Sequence, residues 1–195
     1  MATTGPESAG LWRGGWYQPA RALASPHCDA RPSGAPIDLL VLHSISLPPG
    51  HYGGDDVAAL FLGELQHHAH PYYEQLQGLR VSAHFFVRRN GDLLQFVDCD
   101  QRAWHAGASC YRGRSRCNDD SIGIELEGLE GDPFEPAQYD ALVHLARALV
   151  QRYPVAHIAG HEHIAPGRKA DPGAAFDWAL LQDRLALPAL RFPLR

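Results

Sequence analysis

After the Gly/Pro-rich stretch RPSGAP the chain reads IDLLVLH, almost unbroken in apolar side chains from residue 37 to 43. Such a run suits a central strand with both faces covered. It ends on a histidine. VSAHFFVRR (81–89) and DLLQFVD (92–98) flank Asn90-Gly91, the strongest local signal for a β-hairpin. SIGIELEG (121–128) reads as another strand and VAHIAG (155–160) as a short one. Helices follow a different rhythm. In PAQYDALVHLARALVQRY (136–153), Tyr139, Leu142, Ala146, Leu149 and Tyr153 recur at steps of three and four, and Pro136 suits a first turn. DDVAALFLGEL (55–65) predicts a helix that Asp55 or Asp56 can cap. DWALLQDRLAL (177–187) predicts a last amphipathic helix limited by Pro188.

Between these elements the pattern is weaker. HHAHPYYEQLQG stays undecided, with Pro71 as a break, and RAWHAGASCYRGRSRCNDD reads as a long loop. Residues 11–36 predict an irregular lead-in anchored by Trp12, Trp16, Tyr17 and Leu23, after a flexible arm over 1–10. Strands and helices mix without a βαβ rhythm or internal repeats. The expectation is a mixed α/β fold, a central mixed β-sheet with flanking helices, in one domain over 11–195.

A chain of 195 residues suits that single domain. Its formal net charge of -5 argues against a nucleic-acid partner. Its one arginine cluster, Arg112, Arg114 and Arg116, suits a small anionic ligand better than a phosphate backbone. No run approaches the ~20 apolar residues of a membrane span. MATTGPESAG lacks the basic start and apolar run of a leader, so a cytoplasmic protein is expected. Cys28, Cys99, Cys110 and Cys117 form no CxxC pair and are read as free thiols. With no heptad or large apolar stripe, the expected state is a monomer.

The 12 histidines carry the candidate chemistry. His67 and His70 would share a helical face, but spacing alone supports a solvated or capping role. His43 differs, because the end of a buried strand can hold a side chain rigidly at a cleft. GHEHIAPGRKADPG adds His161, His163 and Asp171. Two histidines and an aspartate make a three-ligand zinc set that leaves a position for water. Spacing leaves His161 and His163 as alternatives. A zinc hydrolase also needs a base and positive charge near the developing oxyanion. Glu125 and Glu127 lie on one strand face, and alternation does not choose between them. Lys169, the only lysine in the chain, can supply the charge.

LLVLHSISLPPG, LRVSAHFFVRRNG, RAWHAG, RCNDDSIGIELEG and GHEHIAPGRKADPG, in that order, resemble the zinc-dependent N-acetylmuramoyl-L-alanine amidases of type 2, and within them the cytoplasmic 1,6-anhydro-N-acetylmuramyl-L-alanine amidases. The resemblance runs from about residue 11 to about 180. It implies a fold like that of peptidoglycan-recognition domains. It places Zn2+ on His43, His161 and Asp171, the acid/base role on Glu125 and the polarising role on Lys169. Arg80 and Arg116 match arginines suited to charged parts of the substrate, and Trp104 and His105 match residues of the same cleft. The implied substrates are soluble anhydromuropeptides from cell-wall recycling, with neither nucleic acid nor membrane as partner. His163 departs from the pattern, which has asparagine there, and SPHCDARP carries its cysteine two places early. The rival expectations are a non-catalytic module that binds peptidoglycan fragments, an amidase acting on intact wall, and a deacetylase.

Overall fold

A computed structural model of the chain describes residues 10–193. The expected arm over 1–10 therefore lies outside the described residues but for Gly10. The lead-in is less irregular than its composition predicts. It holds β1 (Trp12–Arg13), β2 (Trp16–Tyr17), β3 (Arg21–Ala22) and β4 (Cys28–Ala30). Then come β5 (Leu39–Ile45), α1 (Asp56–Leu62), α2 (Pro71–Glu74), β6 (Phe85–Val87) and β7 (Leu93–Gln95). The expected long loop contains β8 (Gln101–Ala103), β9 (Cys110–Tyr111) and β10 (Arg114–Ser115). β11 (Ser121–Glu127), α3 (Pro136–Arg152), β12 (His157–Gly160), α4 (His161–Ile164) and α5 (Trp178–Leu185) complete the fold.

Six strands form the main sheet in the order β12-β5-β11-β6-β7-β3. The first four run parallel, while β6 and β7 pair antiparallel across the Asn90-Gly91 turn. The lead-in thus supplies an edge strand, since β3 pairs parallel with β7. β4 pairs with β8, so the long loop is tied to the lead-in by a short ladder.

Alternation divides the two faces. Leu40 and Leu42 of β5, and Ile122, Ile124 and Leu126 of β11, pack with Leu142, Leu145 and Leu149 of α3 and Leu181 of α5. All nine of these side chains are leucine or isoleucine, whose complete burial contributes about 1.5–3 kcal/mol each. The opposite face divides again. Phe86 and Leu94 meet Val57 and Phe61 of α1, whereas Leu39 and Val41 meet Ala106, Cys117 and Ile164. On this second face β11 presents Ser121, Gly123, Glu125 and Glu127, all in a fully buried strand. The acidic pair is therefore not a solvated edge.

Three helix boundaries differ from expectation for local reasons. Asp55 takes the N-cap position of α1 without a capping bond, because its carboxylate binds Arg88 at 2.6 Å. Pro71 opens α2 rather than breaking a helix. Its missing N–H costs nothing in a first turn, and the His70 ring accepts from Tyr72 N at 3.1 Å. α5 stops at Leu185, before Pro188, where Ala186 adopts a left-handed conformation with φ 49°. The four cysteines are free. No described helix is long and apolar enough to cross a membrane.

Candidate metal centre and catalytic cleft

Register builds the site. β12 lies beside β5 with Gly160 opposite Leu42, and β11 lies on the other side with Glu125 opposite His43. The residue after Gly160 therefore lands beside His43. His161, His43 and Glu125 stand in a row at the C-terminal ends of three parallel strands, where open α/β sheets place their ligands. The turn after α4 brings Asp171 back, and its carbonyl accepts from Glu162 N at 2.9 Å.

Three donor atoms converge there. His43 Nδ1 and His161 Nδ1 are 2.9 Å apart, and Asp171 Oδ2 lies 3.1 Å from the first and 3.0 Å from the second. All three residues are buried. His43 Nε2 lies 3.0 Å from His105 Nδ1, and His161 Nε2 lies 3.2 Å from the Ala106 carbonyl. The Ala106 carbonyl can only accept and Arg168 Nη2, 3.3 Å from the same Nε2, can only donate, so these two neighbours ask for opposite tautomers, and a cation at Nδ1 would put the His161 proton on Nε2 toward the carbonyl. Burial pushes the His43 imidazole down to about 4, so it is neutral at pH 7. Lone pairs converging on a carboxylate repel one another unless a cation lies between them. Two neutral imidazoles and one carboxylate fit a divalent metal of the zinc type.

His163 is settled by the same geometry. Its Nδ1 accepts from Gly160 N at 3.0 Å and its ring packs edge-on against Trp178, away from the three donors. Glu125 separates from Glu127 just as clearly. Glu127 spends its carboxylate on Gly53 N and Arg89 N, holding two loops. Glu125 lines the cleft and its Oε2 has no hydrogen-bond partner. Burial, then the nearby Asp171 charge, raises its pKa well above the usual value, while Lys169 opposes the shift.

The cleft encloses about 320 Å³. Trp104, His105 and Lys169 line it with the three donors and Glu125, and Leu47, Tyr72, Leu76 and Leu79 form an apolar wall. The Trp104 indole N–H donates to Asp29 at 3.1 Å, which fixes the ring. Arg80 and Arg116 are not among the lining side chains. Arg80 turns into a separate hollow with His27 and His67, and Arg116 pairs with Asp119 at 2.7 Å on the surface. The expected anion cluster is also spent in part, because Arg114 is paired with Asp38 and Asp120. Two residues that hold this site escaped the sequence reading, Asn118 and Ser121. Only their place in RCNDDSIGIELEG pointed to them.

Comparison with known proteins agrees with this geometry. Residues 33–174 match the family model of N-acetylmuramoyl-L-alanine amidases. The chain is 52% identical over 167 residues to the 1,6-anhydro-N-acetylmuramyl-L-alanine amidase AmpD of Citrobacter freundii, covering 85% of this chain and 89% of that one. A crystal structure of a selenomethionyl AmpD derivative superposes with a TM-score of 0.88 at 50% identity, covering 90% of this chain and 99% of that one. The Escherichia coli amidase AmiD, in complex with anhydro-N-acetylmuramic acid-L-Ala-D-γ-Glu-L-Lys, is 32% identical with a TM-score of 0.57, covering 79% of this chain and 60% of that one. The chain belongs to the N-acetylmuramoyl-L-alanine amidase family.

Proposed function

We propose that the protein hydrolyses the amide joining the lactyl group of 1,6-anhydro-N-acetylmuramic acid to the L-alanine of its stem peptide, as a zinc enzyme of peptidoglycan recycling in the cytoplasm. The observation that carries this reading is the meeting of His43 Nδ1, His161 Nδ1 and Asp171 Oδ2 beside an unpartnered, buried Glu125. The relatives named for this reaction match over 85% of the chain or more. His43, His161 and Asp171 would hold the metal. When bound, zinc supplies Lewis acidity, which polarises a carbonyl and acidifies water.

Glu125 is the proton carrier. Its raised pKa makes it a stronger base than an exposed carboxylate, and its free Oε2 has no bond to break before accepting. It takes the proton of the attacking water, whose oxygen adds to the lactyl carbonyl carbon. It returns that proton to the alanine nitrogen as the C–N bond breaks. The products are a lactyl carboxylate and a free peptide amine. Lys169, on the cleft lining, sets positive charge beside the oxygen on which negative charge grows.

The test is mass spectrometry of an anhydromuropeptide after incubation with the protein, with and without a zinc chelator. Release of the free peptide, lost on chelation and restored by Zn2+, is the expected outcome. Loss of only an acetyl group would establish a deacetylase instead. Intact substrate bound by a zinc-free protein would establish a binding module.

A further inference from the structure

The segment His105-Ala106 touches both imidazoles of the metal set, once through a side chain and once through the backbone. His105 Nδ1 lies 3.0 Å from His43 Nε2. The Ala106 carbonyl lies 3.2 Å from His161 Nε2. One side chain clamps this segment. Asn118 Oδ1 accepts from His105 N at 3.1 Å and from Ala106 N at 2.7 Å. Asn118 is held in turn, because its own carbonyl accepts from Arg31 at 3.1 Å, and the same guanidinium binds the carbonyls of Cys99, Asp119 and Ser121.

The proton positions follow from the end of the relay. Ser121 Oγ donates to the Cys117 carbonyl. Its hydrogen is thereby committed, so it meets His105 Nε2, at 3.1 Å, as an acceptor. The His105 proton then sits on Nε2 and its Nδ1 is bare. That nitrogen accepts from His43 Nε2, which leaves His43 Nδ1 bare and aimed at Asp171. The ring has no slack, since a Cβ on Gly123 would lie 2.4 Å from it. Fixing the far nitrogen of an imidazole fixes both its tautomer and its direction.

We propose that Asn118 is a positioning residue for the metal centre, setting the outer partners of both histidine ligands through the two amides it binds, and that Ser121 completes the His43 branch alone. This rests on reading His43, His161 and Asp171 as the ligands. Asn118→Leu keeps the side-chain size and removes the acceptor. Ser121→Ala removes only the relay to His105. Asn118→Asp keeps the acceptor oxygen.

The experiment is Zn2+ affinity by competition with a chromophoric chelator, together with 15N spectra of the histidine rings in the zinc-free protein. Asn118→Leu is expected to weaken Zn2+ binding roughly 10- to 100-fold and to perturb the rings of both His43 and His161. Ser121→Ala is expected to weaken it about tenfold and to perturb His43 and His105 but not His161. Asn118→Asp should stay within about threefold of the natural protein. Should Asn118→Leu fail to fold, Asn118→Ala, which removes the same acceptor without an apolar branch, takes its place with the same expected losses. Unchanged affinity and ring signals in Asn118→Leu or Ser121→Ala, beside lost binding in His43→Ala, would overturn the positioning role and leave the ligand set standing. Undiminished binding in His43→Ala would instead overturn the ligand set.

Discussion

At the scale of single residues, the site separates metal holding from proton transfer. Glu125 touches none of the three donor atoms through a hydrogen bond, yet it shares their cleft. Glu125→Gln should therefore keep the metal and lose roughly 10²–10⁴-fold in kcat, the usual worth of a positioned acid/base group. Zinc content by elemental analysis beside kcat checks both halves, and loss of zinc in this variant would sink the assignment. Lys169→Ala should cost roughly 10²–10³-fold in kcat with KM little changed, because its charge acts on the transition state. His163 does different work. Its ring accepts from Gly160 N, a free N–H at the start of α4. Asparagine can make the same bond, so His163→Asn should leave activity intact, whereas His163→Ala should cost about 1 kcal/mol by thermal or urea unfolding.

At the scale of elements, the turn between β6 and β7 shows what sequence reveals and what it hides. Asn90-Gly91 marks the hairpin without ambiguity, and Gly91 has φ +88°. A Cβ there would also lie 3.0 Å from the Ala137 carbonyl of α3. Gly91→Ala should thus destabilise by more than about 1 kcal/mol in urea unfolding, beyond the backbone term alone. β5, β11, α3 and this hairpin were legible because each writes its own period over seven or more residues or carries its own turn signal. β3, β8, β9 and β10 were not, since two- and three-residue strands exist only through their partners. The donor set was legible as residue types, but the choice of His161 over His163 came from resemblance. Register explains that choice, because Gly160 opposite Leu42 sets His161, and not His163, beside His43. Arg80 and Arg116, expected by resemblance to meet charged parts of the substrate, show what a motif leaves open. A motif fixes where a backbone runs, and each guanidinium then turned toward a hollow or a carboxylate outside the cleft.

At the scale of the molecule, His84, which binds the backbone of Gly123 in the strand that carries Glu125, links stability to pH. This histidine is fully buried. Its Nδ1 accepts from Gly123 N at 3.0 Å, so the single proton of the neutral ring is on Nε2, which lies 3.1 Å from the Gln101 carbonyl and 3.0 Å from Arg31 Nη2. Protonating Nδ1 would set a donor against a donor. Burial first, and the Arg31 charge second, hold its pKa well below the ordinary histidine value. The unfolded chain therefore takes up this proton near pH 6.5 while the folded chain does not. Stability from this group is complete above that pH and falls on acidification, by about 1.4 kcal/mol per pH unit, until the folded pKa is reached. Buried His105 shifts the same way, so the natural protein has further contributions in the same window. His84→Gln retains polar atoms for the neighbouring groups but cannot titrate. Urea unfolding of both proteins between pH 7.5 and 5.5, at one fixed excess of Zn2+, isolates the single proton because the metal's own pH dependence is common to both. The variant should lose stability less steeply, by a difference that grows from near zero at pH 7.5 to nearly one proton at pH 5.5. Equal slopes would mean that His84 is already protonated in the fold, against the bond it accepts from Gly123.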